Sequence, residues 1–175
     1  VAWSYELKVN NGTQDLNQQV PAKPNGTYSF TISSKRYKIV NGSVTSQSED
    51  TTWTTSIPGS PSWIHVEEQS NTLIVTVDEN TTTSQRSADI VIFQTGSSDT
   101  SITLTVEQQA ASITWNYTFN IFQPSSKVLN VPAKMIDPDT IVVNSYRTKV
   151  INGTQTSTKE FVEVNAMFRR ITNNF

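Results

Sequence analysis

Apolar side chains recur at every second position along most of this chain. Tyr5, Leu7 and Val9 alternate with polar residues, as do Tyr28, Phe30 and Ile32. The period returns at Trp53 and Ile57, at Ile64 and Val66, at Leu73, Val75 and Val77, through Ala88–Phe93, and at Ile102, Leu104 and Val106. Successive side chains on a strand point to opposite faces, so this period marks strands with one buried face. Asn10-Asn11-Gly12, Asn25-Gly26, Asn41-Gly42, Pro58-Gly59 and Gly96-Ser97 punctuate the runs with turn chemistry. No segment carries a helical period. About eight strands with frequent turns predict an all-β fold of the immunoglobulin-like sandwich class.

Laid on itself, the chain repeats. Trp3 and Tyr5 recur as Trp115 and Tyr117 at an offset of 112, and Val20-Pro21-Ala22-Lys23 recurs as Val131-Pro132-Ala133-Lys134 at 111. At the same offset of 111, Ser34, Arg36, Lys38, Asn41 and Gly42 fall on Ser145, Arg147, Lys149, Asn152 and Gly153. Apolar character carries over too: Phe30 and Ile32 fall on Ile141 and Val143, Trp53 and Ile57 on Val164 and Phe168. The pattern predicts one complete sandwich over 1–110 and a partial or divergent copy of its opening part over 111–175. Strands of the copy are expected near Ile113–Phe122, Lys127–Val131, Thr140–Ile151 and Glu160–Ile171. Half a sandwich leaves an apolar face and strand edges to cover, which favours a component of an assembly.

Composition narrows the setting. Hydrophobic residues make up 35% of the chain and charged residues 16%, with Ser, Thr, Asn and Gln filling the gap. Such polarity suits strands with one wet face; alternation and four Trp argue against disorder. The net charge is −2 and no basic run exceeds Arg169-Arg170, so no nucleic-acid footprint is expected. No stretch approaches the roughly 20 apolar residues of a membrane helix. The chain begins at Val1, as a mature, processed or excised product would. With no cysteine there are no disulfides, thiol nucleophiles or Cys-bound metals. The sequons at Asn11, Asn25, Asn41, Asn80, Asn116 and Asn152 are read chiefly as products of an Asn- and Thr-rich composition and of Asn-Gly turns.

The middle of the first copy carries a further pattern. Pro61-Ser62-Trp63-Ile64, a strand over Leu73–Val77, Asn80, Arg86-Ser87-Ala88 and Thr105-Val106-Glu107-Gln108 together resemble the BACON domain, a Bacteroidetes-associated immunoglobulin-like module. The resemblance covers roughly 1–109. It implies an extracellular setting, on a gut Bacteroidetes surface protein or in the virion of a crAss-like bacteriophage. It also implies spacer, display or glycan-binding roles, and marks Trp63, Asn80, Arg86 and Gln108 as signature residues with structural duties.

Catalytic chemistry is sparse. His65 is the sole histidine, and alternation turns it to solvent beside inward Ile64 and Val66. Glu67-Glu68, Asp78-Glu79 and Asp137-Pro138-Asp139 are the close carboxylates, but neighbours on a strand face opposite ways, unlike a facing glycosidase pair. Asp78, Glu79 and Asn80 offer too few oxygens for a calcium loop. No phosphate loop or nucleophile elbow is present, and no cofactor is expected. Tyr37, replaced by Thr148 in the copy, and its neighbour Arg36 are the candidate glycan contacts. The expected function is a non-catalytic structural, display or adhesion module whose partners are other protein chains. The alternative is a carbohydrate-binding module for mucin glycans, and a glycoside hydrolase fragment ranks third.

Overall fold

The computed structural model describes residues 2–12, 16–97, 100–118, 135–137 and 140–167, with backbone alone for 135–137, 140–145 and 163–167. The chain divides into two compact units, Val1–Ala111 and Ser112–Phe175. The strands of the first are β1 (Ala2–Val9), β2 (Asn17–Val20), β3 (Tyr28–Val40), β4 (Ser43–Asp50), β5 (Trp53–Ser56), β6 (Ile64–Gln69), β7 (Thr72–Val77), β8 (Arg86–Gln94) and β9 (Ser101–Gln108). Those of the second are β10 (Ile113–Thr118), β11 (Met135–Asp137), β12 (Thr140–Ile151) and β13 (Thr154–Met167).

The first unit is a β-sandwich. One sheet has the order β1-β3-β7-β6, with β4 also paired to β3; the other has the order β2-β9-β8-β5. All pairings are antiparallel except β2 with β9. In β1, β6, β7, β8, β9 and the first half of β3, alternate residues enter the core, as the alternation predicts. Leu7, Val9, Phe30, Ile32, Ile64, Leu73, Val75 and Val77 meet Val20, Ala88, Ile90, Ile92, Leu104 and Val106. Two strands lack that signal. β4 (SVTSQSED) has no buried residue, and β2 is a four-residue edge.

β3 outruns the core. Its second half, with the start of β1 and all of β4, forms a three-stranded arm closed by the Asn41-Gly42 turn. Asn41 has φ 49° and Gly42 φ 78°, the left-handed pair of a type I′ hairpin turn, which Asn-Gly adopts with least strain. On the arm's inner face, the Arg36 guanidinium carbon lies 4.2 Å above the Trp3 ring. The same guanidinium donates to Glu49 Oε2 from Nη2 at 2.6 Å.

The second unit repeats this arm. Trp115 pairs with Lys149 and Tyr117 with Arg147, just as Trp3 pairs with Lys38 and Tyr5 with Arg36. Arg147 stands 4.1 Å above Trp115 and reaches Glu160 Oε2 at 2.6 Å. Hydrogen bonds to Glu160 and then Tyr117 hold its guanidinium above the ordinary arginine range, against a smaller effect of desolvation. Asn152 and Gly153 close the hairpin with φ 48° and 78°.

Beyond the arm the two units part. In the first, β4 ends at Asp50 and the chain crosses to the other sheet as β5, leaving the β3 edge at Tyr28–Thr31 to β7. In the second, β13 continues without a crossing and pairs with β12 down to Thr140. It begins at Thr154 rather than near Glu160, because the two-residue turn lets pairing resume at once. The strand expected at Lys127–Val131, the repeated Val131-Pro132-Ala133-Lys134 and Phe168 lie outside the described residues.

Candidate functional site

The signature residues gather at one end of the sandwich. Trp63 packs half-buried against the core, with the Arg86 guanidinium carbon 4.5 Å above its ring. Arg86 donates from Nε to Gln108 Oε1 at 2.7 Å and from Nη2 to the Asp78 carbonyl at 2.9 Å. Desolvation draws this guanidinium below the ordinary arginine range, partly opposed by the Asp78 charge. Gln108, fully buried, donates from Nε2 to the carbonyls of Asp78 at 2.8 Å and Ala22 at 3.1 Å. Asn80, also fully buried, donates from Nδ2 to the carbonyls of Ser84 and Gln109 and accepts at Oδ1 from the Thr82 amide and hydroxyl. Its own amide donates to the Ala22 carbonyl at 2.7 Å. Buried polar groups need such partners, and here they bind three remote segments into one network.

Of the titratable candidates only His65 and Asp78 come together among the described residues. His65 is exposed, and its Nε2 lies 3.3 Å from Asp78 Oδ2 at the surface. Glu68, exposed, accepts from Thr54 Oγ1 and from the Thr55 amide and hydroxyl, whereas Glu67 accepts from Gln69. Among the described residues no three His, Asp or Glu cluster as a metal site. Arg36 and Tyr37, adjacent on β3, take opposite faces: Arg36 joins Trp3 and Glu49 inside the arm, while Tyr37 donates to Glu6 Oε1 at 3.3 Å outside it. They form no common patch.

A different opening follows from the strand crossing. β4 leaves β3 at the Lys35–Asp50 pair and β7 joins it only at Thr31–Thr72, so the β3 edge between them is notched. The notch holds about 310 Å³, bounded by Ser34, Lys35, Asp50, Thr51, Trp53 and Asn71 among others. A shelf of about 460 Å³ adjoins it, sharing Asp50, Thr51, Trp53 and Ser70 and adding Glu68. Trp53 is half-buried, its indole N–H tied to the Ser70 carbonyl at 3.0 Å, so the ring is fixed at the mouth. Behind it Ser34, Thr51 and Gln94 form a hydrogen-bonded row. Gln94 is buried, and its Oε1 has no partner among the described residues.

Sequence reasoning passed over Trp53 because its repeat equivalent is Val164, which reads as a mere apolar requirement. The usable signal is the polar, acidic stretch Ser48–Thr52 just before it, which a purely core-facing tryptophan does not need.

Residues 47–109 match the family model BACON, described as "Putative binding domain, N-terminal". No curated protein matches the chain. The matched span takes in Trp63, Asn80, Arg86 and Gln108, the four residues that lock one end of the sandwich, and also Trp53 at the notch. Over residues 47–109 the chain is similar to the BACON family, and the match does not extend to the rest of it.

Proposed function

We propose that this chain is a non-catalytic display and adhesion module of an extracellular assembly, on a virion or a bacterial surface, with the Trp53 notch as its contact surface. The observation that carries the reading is the fixed, half-exposed Trp53 ring beside a polar notch in a domain whose signature side chains are engaged in holding the fold. Residues 111–175 are read as a divergent second copy of the domain's opening part, supported by the repeated Trp–Arg–Glu stack and its ladder.

A second reading makes the ligand of the notch a glycan. It is supported by the pairing of an aromatic ring with the hydroxyls of Ser34, Thr51 and Ser70 and the amide of Asn71, a match for the apolar face and polar rim of a sugar. A mucin-glycan array probed with the wild type and with Trp53→Ala tests it. Glycan recognition predicts binding that drops by about tenfold or more in the variant, as for a central aromatic anchor. A flat array for the wild type removes the glycan and leaves display through protein contacts.

A further inference from the structure

The two arms agree on their inner faces and differ on their outer ones. Lys35 and Asp50 stand opposite each other on β3 and β4, a loose ion pair at 4.0 Å. The residues 111 positions later, Tyr146 and Phe161, stand opposite each other on β12 and β13 with ring centroids 4.8 Å apart. Phe161 is 74% exposed. Lys159 lies two residues away on the same face of β13, and with Thr118, Tyr146 and Thr148 it lines a hollow of about 330 Å³. Where the first unit has a surface ion pair the second thus has a tilted aromatic pair with Phe161 facing water, an arrangement that isolated strand stability does not require.

Charge separates the units as well. Residues 1–111 hold six Lys and Arg against eleven Asp and Glu, whereas residues 112–175 hold seven against four. The first unit is therefore at −5 and the second at +3. Oppositely charged surfaces on one chain attract between copies.

We propose that Phe161, flanked by Tyr146 and Lys159, docks into the Trp53 notch of a second copy of this chain. The claim rests on the notch being a contact surface. A cavity of about 150 Å³ accepts a benzene ring, so the shelf of about 460 Å³ admits a benzyl side chain with room for its neighbour. Trp53 offers an aromatic partner, and tilted aromatic pairs are favourable beyond their buried area. Asp50 and Glu68 border the same shelf and face the arriving Lys159 with carboxylates. The contact joins unlike surfaces, so it either closes reciprocally or propagates.

Sedimentation velocity of the full chain, across concentration and at low and high salt, tests this. Self-association is expected at low ionic strength, weakening about tenfold as salt shortens the screening length from about 10 Å to about 3 Å. Phe161→Ser should weaken it by about tenfold or more, as loss of a central aromatic anchor does. Lys159→Glu should weaken it too, and Asp50→Lys added to Lys159→Glu should restore it. Phe161 is exposed, so its variant keeps the fold, which circular dichroism verifies. A monodisperse monomer at every concentration, or association indifferent to Phe161→Ser, overturns the proposal. Glycan binding lost in Trp53→Ala alongside such a monomer would leave the notch standing as a contact surface and remove only this occupant.

Discussion

Asn80 illustrates what a single polar side chain does in this sandwich. Both ends of its amide are bonded, to the carbonyls of Ser84 and Gln109 and to the Thr82 amide and hydroxyl, and none of it reaches water. Truncation would strand buried carbonyls, each costing about 1–3 kcal/mol when unpaired. Asn80→Ala is therefore expected to lower stability by about 2–4 kcal/mol in urea unfolding. The order Trp63, Asn80, Arg86, Gln108 is legible in the sequence as a signature with structural duties, but the partners of these side chains are not. The partners explain why: Gln108 bonds the Ala22 carbonyl 86 residues earlier, and no local pattern announces such a pairing. Trp53 was hidden for the opposite reason. Its polar surroundings arise where a strand changes sheets, which periodicity does not encode.

Among the elements, alternation located those strands that bury one face and missed those that bury none. Phe30, Ile32, Leu73, Val75 and Val77 lie in the core as their spacing requires. β4 escaped because both faces of SVTSQSED meet solvent, so nothing selects a period. What holds β4 is its turn and the clasp at its far end. Gly42 at φ 78° tolerates a side chain poorly. Gly42→Ala should lower the thermal midpoint of the first unit by several degrees, the equivalent of about 1 kcal/mol or more. Differential scanning fluorimetry would read the shift. The Trp–Arg–Glu stack at the other end of the arm is repeated almost to the tenth of an ångström in the second unit. A surface ion pair alone contributes little; an ion pair that also covers an indole ring adds a cation–π contact and excludes water from its apolar face.

For the molecule as a whole, the chain divides into two compact units at Ala111–Ser112, and the β1–β3 and β10–β12 ladders pair Trp3 with Lys38 and Trp115 with Lys149 in the same register. Sequence periodicity did not foresee that the two ladders part after Asp50 and Phe161, because similar residues can serve a crossing in one place and a continuous hairpin in another. The extensive hydrophobic core described above belongs to the first unit. Calorimetry is expected to resolve two unfolding steps, one for each compact unit; a single coincident transition would show the units to be energetically one.

The uninterrupted run of β13 has a consequence for timing. Where β7 closes the β3 edge of the first unit, the corresponding β12 edge is already zipped by five consecutive pairs, Thr140–Met167 to Asn144–Glu163. An incoming strand meets an occupied seam and must first peel it open from the end remote from the Asn152-Gly153 turn. Access to that seam is governed by how fast the hairpin frays, so this edge of β12 is shielded from careless strand addition by a delay instead of by a wall.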